Sequence, residues 1–112
     1  KEVSDSRNAA RAGCGVILSK STGAAKGGSV EPTAEYLAFL RDLFDRNEVL
    51  WQAGEMCKLE QGGGGTVATF FARYNIDTVN CGPGVFSMHA PFELTSKADI
   101  YSTYQAYRAF YR

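Results

Sequence analysis

Apolar positions along this chain follow two rhythms. Val16-Ile17-Leu18, after Gly13-Cys14-Gly15 and before polar Ser19-Lys20-Ser21-Thr22, is a short apolar run of the kind that forms a buried strand. Gly23 to Ser29 is small and without pattern, which predicts a loop. From Thr33 to Asn47 the apolar residues Tyr36, Leu37, Phe39, Leu40, Leu43 and Phe44 recur at spacings of three and four. Arg41, Asp42, Asp45 and Arg46 take the other side, so this stretch predicts an amphipathic helix, with Pro32 suited to open it.

Val49-Leu50-Trp51-Gln52-Ala53 then reads as a second strand. Gly62 to Gly65 break the chain before a second helix over Thr66–Tyr74. Ile76 to Cys81 alternates apolar and polar, predicting a third strand that Gly82-Pro83-Gly84 ends. Ser96 with Asp99 has the spacing of a capping box and starts a last helix, along which Ile100, Tyr104, Tyr107 and Tyr111 form one stripe. The helical spacing of these tyrosines predicts core packing. Strand, helix, strand, helix, strand, helix predicts an α/β fold, a mostly parallel sheet flanked by helices, with residues 1–112 forming a single domain.

Composition narrows the classes of function. Of 112 residues, 45% are hydrophobic, ordinary for a packed core. Twelve basic and twelve acidic side chains cancel, leaving no basic excess to hold phosphate backbones, so nucleic acid is not an expected partner. No apolar stretch approaches the ~20 residues of a membrane helix, and no membrane partner is expected. Cys14, Cys57 and Cys81 are odd in number and unpaired by motif; they read as reduced, small apolar residues of a cytoplasmic protein. Lys1-Glu2-Val3-Ser4-Asp5 has neither an initiator methionine nor the apolar segment of a signal peptide, and reads as the interior of a longer polypeptide.

The one histidine, His89, lies just beyond the third predicted strand. Ligands gather at the carboxyl ends of strands in open α/β sheets, and a neutral imidazole there is either a divalent-metal ligand or a structural residue. Its nearest acid is Glu93, for which capping or ion pairing is the expected role; Glu55, Glu60 and Asp77 are scattered further off. A catalytic zinc site takes three protein ligands, and a complete set is not assembled here. The glycine run is either a tight turn or a place where main-chain amides face a ligand. Gly65 stands where a phosphate-binding loop would carry lysine, which disfavours nucleotides. Lys20, at the end of the first strand, is either solvated or a partner for a substrate carboxylate.

Several separated stretches also carry a resemblance. Gln61 to Ala68, Asn80-Cys81-Gly82, Ser87-Met88-His89-Ala90-Pro91-Phe92-Glu93 and the ending from Asp99 to Tyr111 resemble the C-terminus of the aspartyl aminopeptidase and vacuolar aminopeptidase I family, closest to its bacterial branch. The resemblance implies that the chain is the C-terminal part of a three-layer αβα zinc-peptidase catalytic domain. It implies an intact enzyme with two zinc ions, or other divalent metals, that removes N-terminal residues from peptides and assembles as a homo-oligomer. His89 falls on the last zinc ligand of the family and Met88 beside it at the wall of the substrate pocket. Lys20 falls on a substrate-contacting lysine, and Gly64 and Gly65 on a segment near the active-site floor. The remaining ligands and the general base lie upstream, so no catalytic residue is assigned within the chain, and the chain alone is expected to be inactive. The rival expectation is a non-catalytic α/β module that binds a protein partner.

Overall fold

A computed structural model describes residues 9–20, 31–55 and 66–112. The predicted Gly23–Ser29 loop, the glycine run with Gly64 and Gly65, and Cys57 lie outside the described residues. In chain order the elements are β1 (Val16–Ser19), α1 (Ala34–Arg46), β2 (Trp51–Gly54), α2 (Ala68–Ala72), β3 (Cys81–Gly82), β4 (Val85–Phe86), β5 (Leu94–Thr95) and α3 (Lys97–Phe110).

The apolar β-branched run is the centre of a three-stranded sheet ordered β2-β1-β3. β1 and β2 run parallel with Val16 opposite Trp51 and Ser19 opposite Gly54, whereas β3 is antiparallel to β1 with Leu18 opposite Cys81. β4 and β5 form a separate antiparallel pair. The expected mostly parallel sheet is therefore corrected to a mixed one. The predicted 76–81 strand shrinks to Cys81–Gly82: Ile76 is exposed, and Val79 packs against the core from outside the ladder.

Pleating puts Val16 and Leu18 on one face, where they form the core with Leu40 and Phe44 of α1, Val49, and Ala106 and Ala109 of α3. Both long helices thus lie on the same side of the sheet, and the opposite side carries Ile17, against which the backbones at Gly54 and Gly84 come close. Thr33, rather than Pro32, caps α1: its Oγ1 accepts from the Tyr36 N–H at 3.3 Å and its hydroxyl donates to Asp77 at 3.2 Å. At the other end Glu48 takes the left-handed conformation (φ 54°), and the Val49 N–H returns to the Phe44 carbonyl. The Trp51 indole N–H donates to Asp45 at 2.7 Å, fastening α1 to β2.

Helix α3 departs most from expectation. Its buried positions are Asp99, Ser102, Ala106 and Ala109, small except for the first, whereas Tyr101, Tyr104 and Tyr111 are 60%, 56% and 80% exposed. Small residues let the helix axis approach the sheet and α1, and the aromatic stripe is pushed outward. Only Tyr107 reaches back, donating from its hydroxyl to the Cys81 carbonyl at 3.0 Å. The second helix is also shorter than its pattern suggested: Val67 at its start provides no side-chain cap, and Phe70 and Phe71 are exposed.

Asp99 joins this helix to the beginning of β1. Its carboxylate is fully buried and accepts from the Gly13 N–H (Oδ2) and the Gly15 N–H (Oδ1), both at 2.8 Å. Ser96 caps the helix by accepting from the Asp99 N–H, so the capping box is present in half, its acidic member having turned to a partner 84 residues away. Gly13 and Gly15 supply the positive φ (82° and 91°) that aims both amides at one carboxylate. A Cβ at Gly15 would lie 2.1 Å from the Leu50 carbonyl oxygen, so position 15 is closed to any side chain. Gln52 braces the same bend, donating to the Arg11 and Gly15 carbonyls and accepting from the Arg11 N–H.

Two results are expected. Hydrogen bonds to a charged group contribute about 1.5–3 kcal/mol each, and Asp99→Ala leaves two amides without an acceptor. Amide exchange at Gly13 and Gly15 in the full-length protein should then accelerate by about a hundredfold or more, equivalent to roughly 3 kcal/mol, and mass spectrometry of the exchanging peptides reads it. Burial pushes the Cys81 thiol from 9.0 up to about 11, whereas Cys14 is exposed, contrary to its reading as a buried apolar residue. A neutral thiol is a poor nucleophile, so alkylation at neutral pH should modify Cys14 well before Cys81. The folded thiol also holds its proton more tightly than the unfolded one. Its contribution to stability is complete below pH 9.0 and lost as pH rises through about 11. Melting curves over that range should decline less steeply in Cys81→Ala.

Candidate functional site

The open side of the sheet is a cleft of about 460 Å³. Ile17 forms its floor, Ser19 and Glu55 come from the carboxyl ends of β1 and β2, Thr66 precedes α2, and Asn80 and Met88 complete the polar and apolar rim. The cleft reaches the carboxyl ends of β1 and β2 and also Ala10 to Ala12 ahead of β1. Main-chain bonds hold that edge together: the Lys20 N–H donates to the Gly54 carbonyl and the Ser19 N–H to the Asn80 carbonyl, both at 2.9 Å. The Oγ1 atoms of Thr66 and Thr69 are buried with no hydrogen-bond partner among the described residues.

His89 sits in the seven-residue connection between β4 and β5. The two strands pair Val85 with Thr95 and Phe86 with Leu94, and the Thr95 hydroxyl donates to the Gly84 carbonyl at 2.8 Å, closing the base of the hairpin. Within the connection Ser87 and His89 both have positive φ, 58° and 69°. Such conformations cost of order 1–3 kcal/mol for residues other than glycine and persist where their surroundings enforce them. Two contacts do so here. The Ala90 N–H donates to the Ser87 carbonyl at 2.9 Å, and the His89 N–H donates to Oε1 of Glu93 at 2.6 Å. Glu93 is thus a local cap, as its distance in sequence from His89 suggested.

The imidazole itself is exposed, and among the described residues nothing hydrogen-bonds to it. An accessible ring nitrogen on a conformationally fixed residue suits a divalent metal, and His89 fits one position of such a site. No group of three or more histidine, cysteine, aspartate or glutamate side chains among the described residues could hold a metal ion. One imidazole alone gives little affinity.

The structure therefore brings Met88 to the cleft and places His89 beside it on the hairpin, while Lys20 is exposed immediately after cleft-lining Ser19. Sequence reasoning did not bring Ser19, Thr66 or Asn80 to this cleft. Their only signal was position, each lying at the end of a strand or the start of a helix.

The chain as a whole resembles proteins of one family. A family model described as aminopeptidase I zinc metalloprotease (M18) matches residues 1–111. A probable M18 family aminopeptidase 1 from Borrelia garinii is 46% identical over 113 residues, covering 98% of this chain and 24% of the relative. The same named protein from Thermotoga neapolitana is 46% identical over 110 residues, covering 97% and 24%. The crystal structure of the M18 aminopeptidase from Thermotoga maritima superimposes with a TM-score of 0.88 at 44% identity, covering 97% of this chain and 24% of that one. Aminopeptidase I from Clostridium acetobutylicum gives 0.88 at 40% identity, covering 99% and 25%. The chain spans about a quarter of the length of these relatives, and it belongs to the M18 family of aminopeptidases.

Proposed function

We propose that this chain is the C-terminal part of the catalytic domain of a zinc-dependent aminopeptidase that removes N-terminal residues from peptides. The observation that carries the reading is the His89 hairpin: an accessible imidazole, held at positive φ, next to a methionine that lines a cleft at the carboxyl ends of two parallel strands. The M18 match supports a peptidase, and its description supports zinc.

In this reading His89 presents a neutral nitrogen as one ligand of a site holding two zinc ions or other divalent metals. The other ligands and the general base come from polypeptide outside this chain. When bound, such ions polarise the scissile carbonyl and activate water for attack on it. The chain's own residues bind and orient the substrate. Met88 offers apolar wall to the side chain being removed, and Lys20, exposed at the end of β1, pairs with a carboxylate of the peptide. Gly64 and Gly65 belong to the segment that the family resemblance assigns to substrate binding. The open face of Ile17 and the outward aromatic stripe of α3 support further layers in the whole protein, completing a three-layer αβα domain and contributing to a cytoplasmic homo-oligomer.

The test compares the isolated chain with the full-length protein. The chain alone should release no amino acid from aminoacyl substrates with or without added zinc, and the full-length enzyme should do so. His89→Ala in the full-length enzyme should lower kcat/KM and zinc affinity by more than about 100-fold, since even residues that merely orient a ligand are worth about 10–100-fold. Turnover by the chain alone, or unaltered zinc affinity in His89→Ala, would refute this reading.

A further inference from the structure

We infer that Glu93 is a positioning residue for the metal ligand, clamping the main chain of His89 so that its side chain leaves the hairpin in one direction before any ion arrives; this rests on the reading of His89 as a ligand. The clamp is built from fixed parts. Glu93 immediately precedes Leu94, which is paired to Phe86 across the hairpin, so its backbone is anchored in the two-stranded ladder. From there the carboxylate spans the connection to the His89 N–H at 2.6 Å, a short bond of the kind a charged acceptor makes. The residue it holds has φ 69°, in a region that a chain leaves when nothing retains it. In the extended conformation the same side chain would leave the backbone in a different direction. One Glu93 oxygen therefore sets the direction in which the His89 side chain leaves the backbone, and so the region beside Met88 that the ring can reach.

A second feature points the same way. Ser87, two residues before His89, is also left-handed, and its carbonyl receives the Ala90 N–H. The turn is thus braced on both sides of His89, by Ser87 and Ala90 across its near end and by Glu93 across its far end. Ligand-supporting contacts of this sort typically change metal affinity by about 10–100-fold when removed. Glu93 is exposed, so its loss costs the metal-free fold little: water can replace it at the amide but cannot hold the φ angle.

The experiment uses the full-length protein, metal-free, titrated with zinc against a chelating competitor. Glu93→Ala should weaken zinc binding by about 10–100-fold with the metal-free melting temperature unchanged, whereas Glu93→Gln, whose amide oxygen still accepts from the His89 N–H, should retain most of the affinity. Wild-type affinity in Glu93→Ala while His89→Ala has lost it would overturn the clamp and leave the ligand assignment standing. Equal losses in Glu93→Gln and Glu93→Ala would overturn it too, by showing that the charge contacts the ion instead of the amide. A metal-free melting temperature that falls in Glu93→Ala in step with the affinity would assign the effect to general stability, against the inference. Unchanged affinity in His89→Ala would remove the ligand reading itself, and the clamp with it.

Discussion

The fold depends on one carboxylate. Asp99, fully buried, receives the amides of Gly13 and Gly15 and so ties the last helix to the entry of the central strand. A polar group is expensive to bury unless it is hydrogen-bonded, and this one is tolerated because two directed N–H groups replace its water. The geometry has further requirements: two glycines at positive φ, a bend braced by Gln52, and a main-chain approach to Leu50 too close for any side chain at Gly15. With those in place Val16 and Leu18 face the helices, and β1 delivers Ser19 to the rim of the cleft.

What could be read in advance follows the range of the forces involved. Helix α1 was legible because its apolar spacing lies within one segment, whereas its cap, Thr33, was not singled out. Strand β1 was legible because a short β-branched run has few other uses. The direction of β3 was not, since pairing of Leu18 with Cys81 depends on contacts such as the Tyr107 hydroxyl on the Cys81 carbonyl, which no local alternation encodes. The tyrosine stripe of α3 misled for a reason of volume. Helical spacing identifies a face, but the face that packs closest is the one with small side chains, here Ser102, Ala106 and Ala109. Asp99 had a visible local role as a helix cap, and only the distant pair of glycines reveals its larger one.

At the candidate site the same division holds. His89, Met88 and Glu93 were visible because they share one short stretch, and the structure adds that the stretch is a hairpin connection with two left-handed residues. Ser19, Thr66 and Asn80 meet Met88 only after folding.

The long reach of the Asp99 contact has a consequence for how the polypeptide acquires its shape during synthesis. The amides of Gly13 and Gly15 leave the ribosome 84 residues or more before the side chain that satisfies them. At typical rates of elongation that interval is several seconds, long compared with helix formation. Strands β1 and β2 can associate in that time, but the bend that leads into them stays unlatched until α3 emerges. Nascent chains halted before that helix should therefore display an exposed, apolar sheet face at Val16 and Leu18, the kind of surface that chaperones hold.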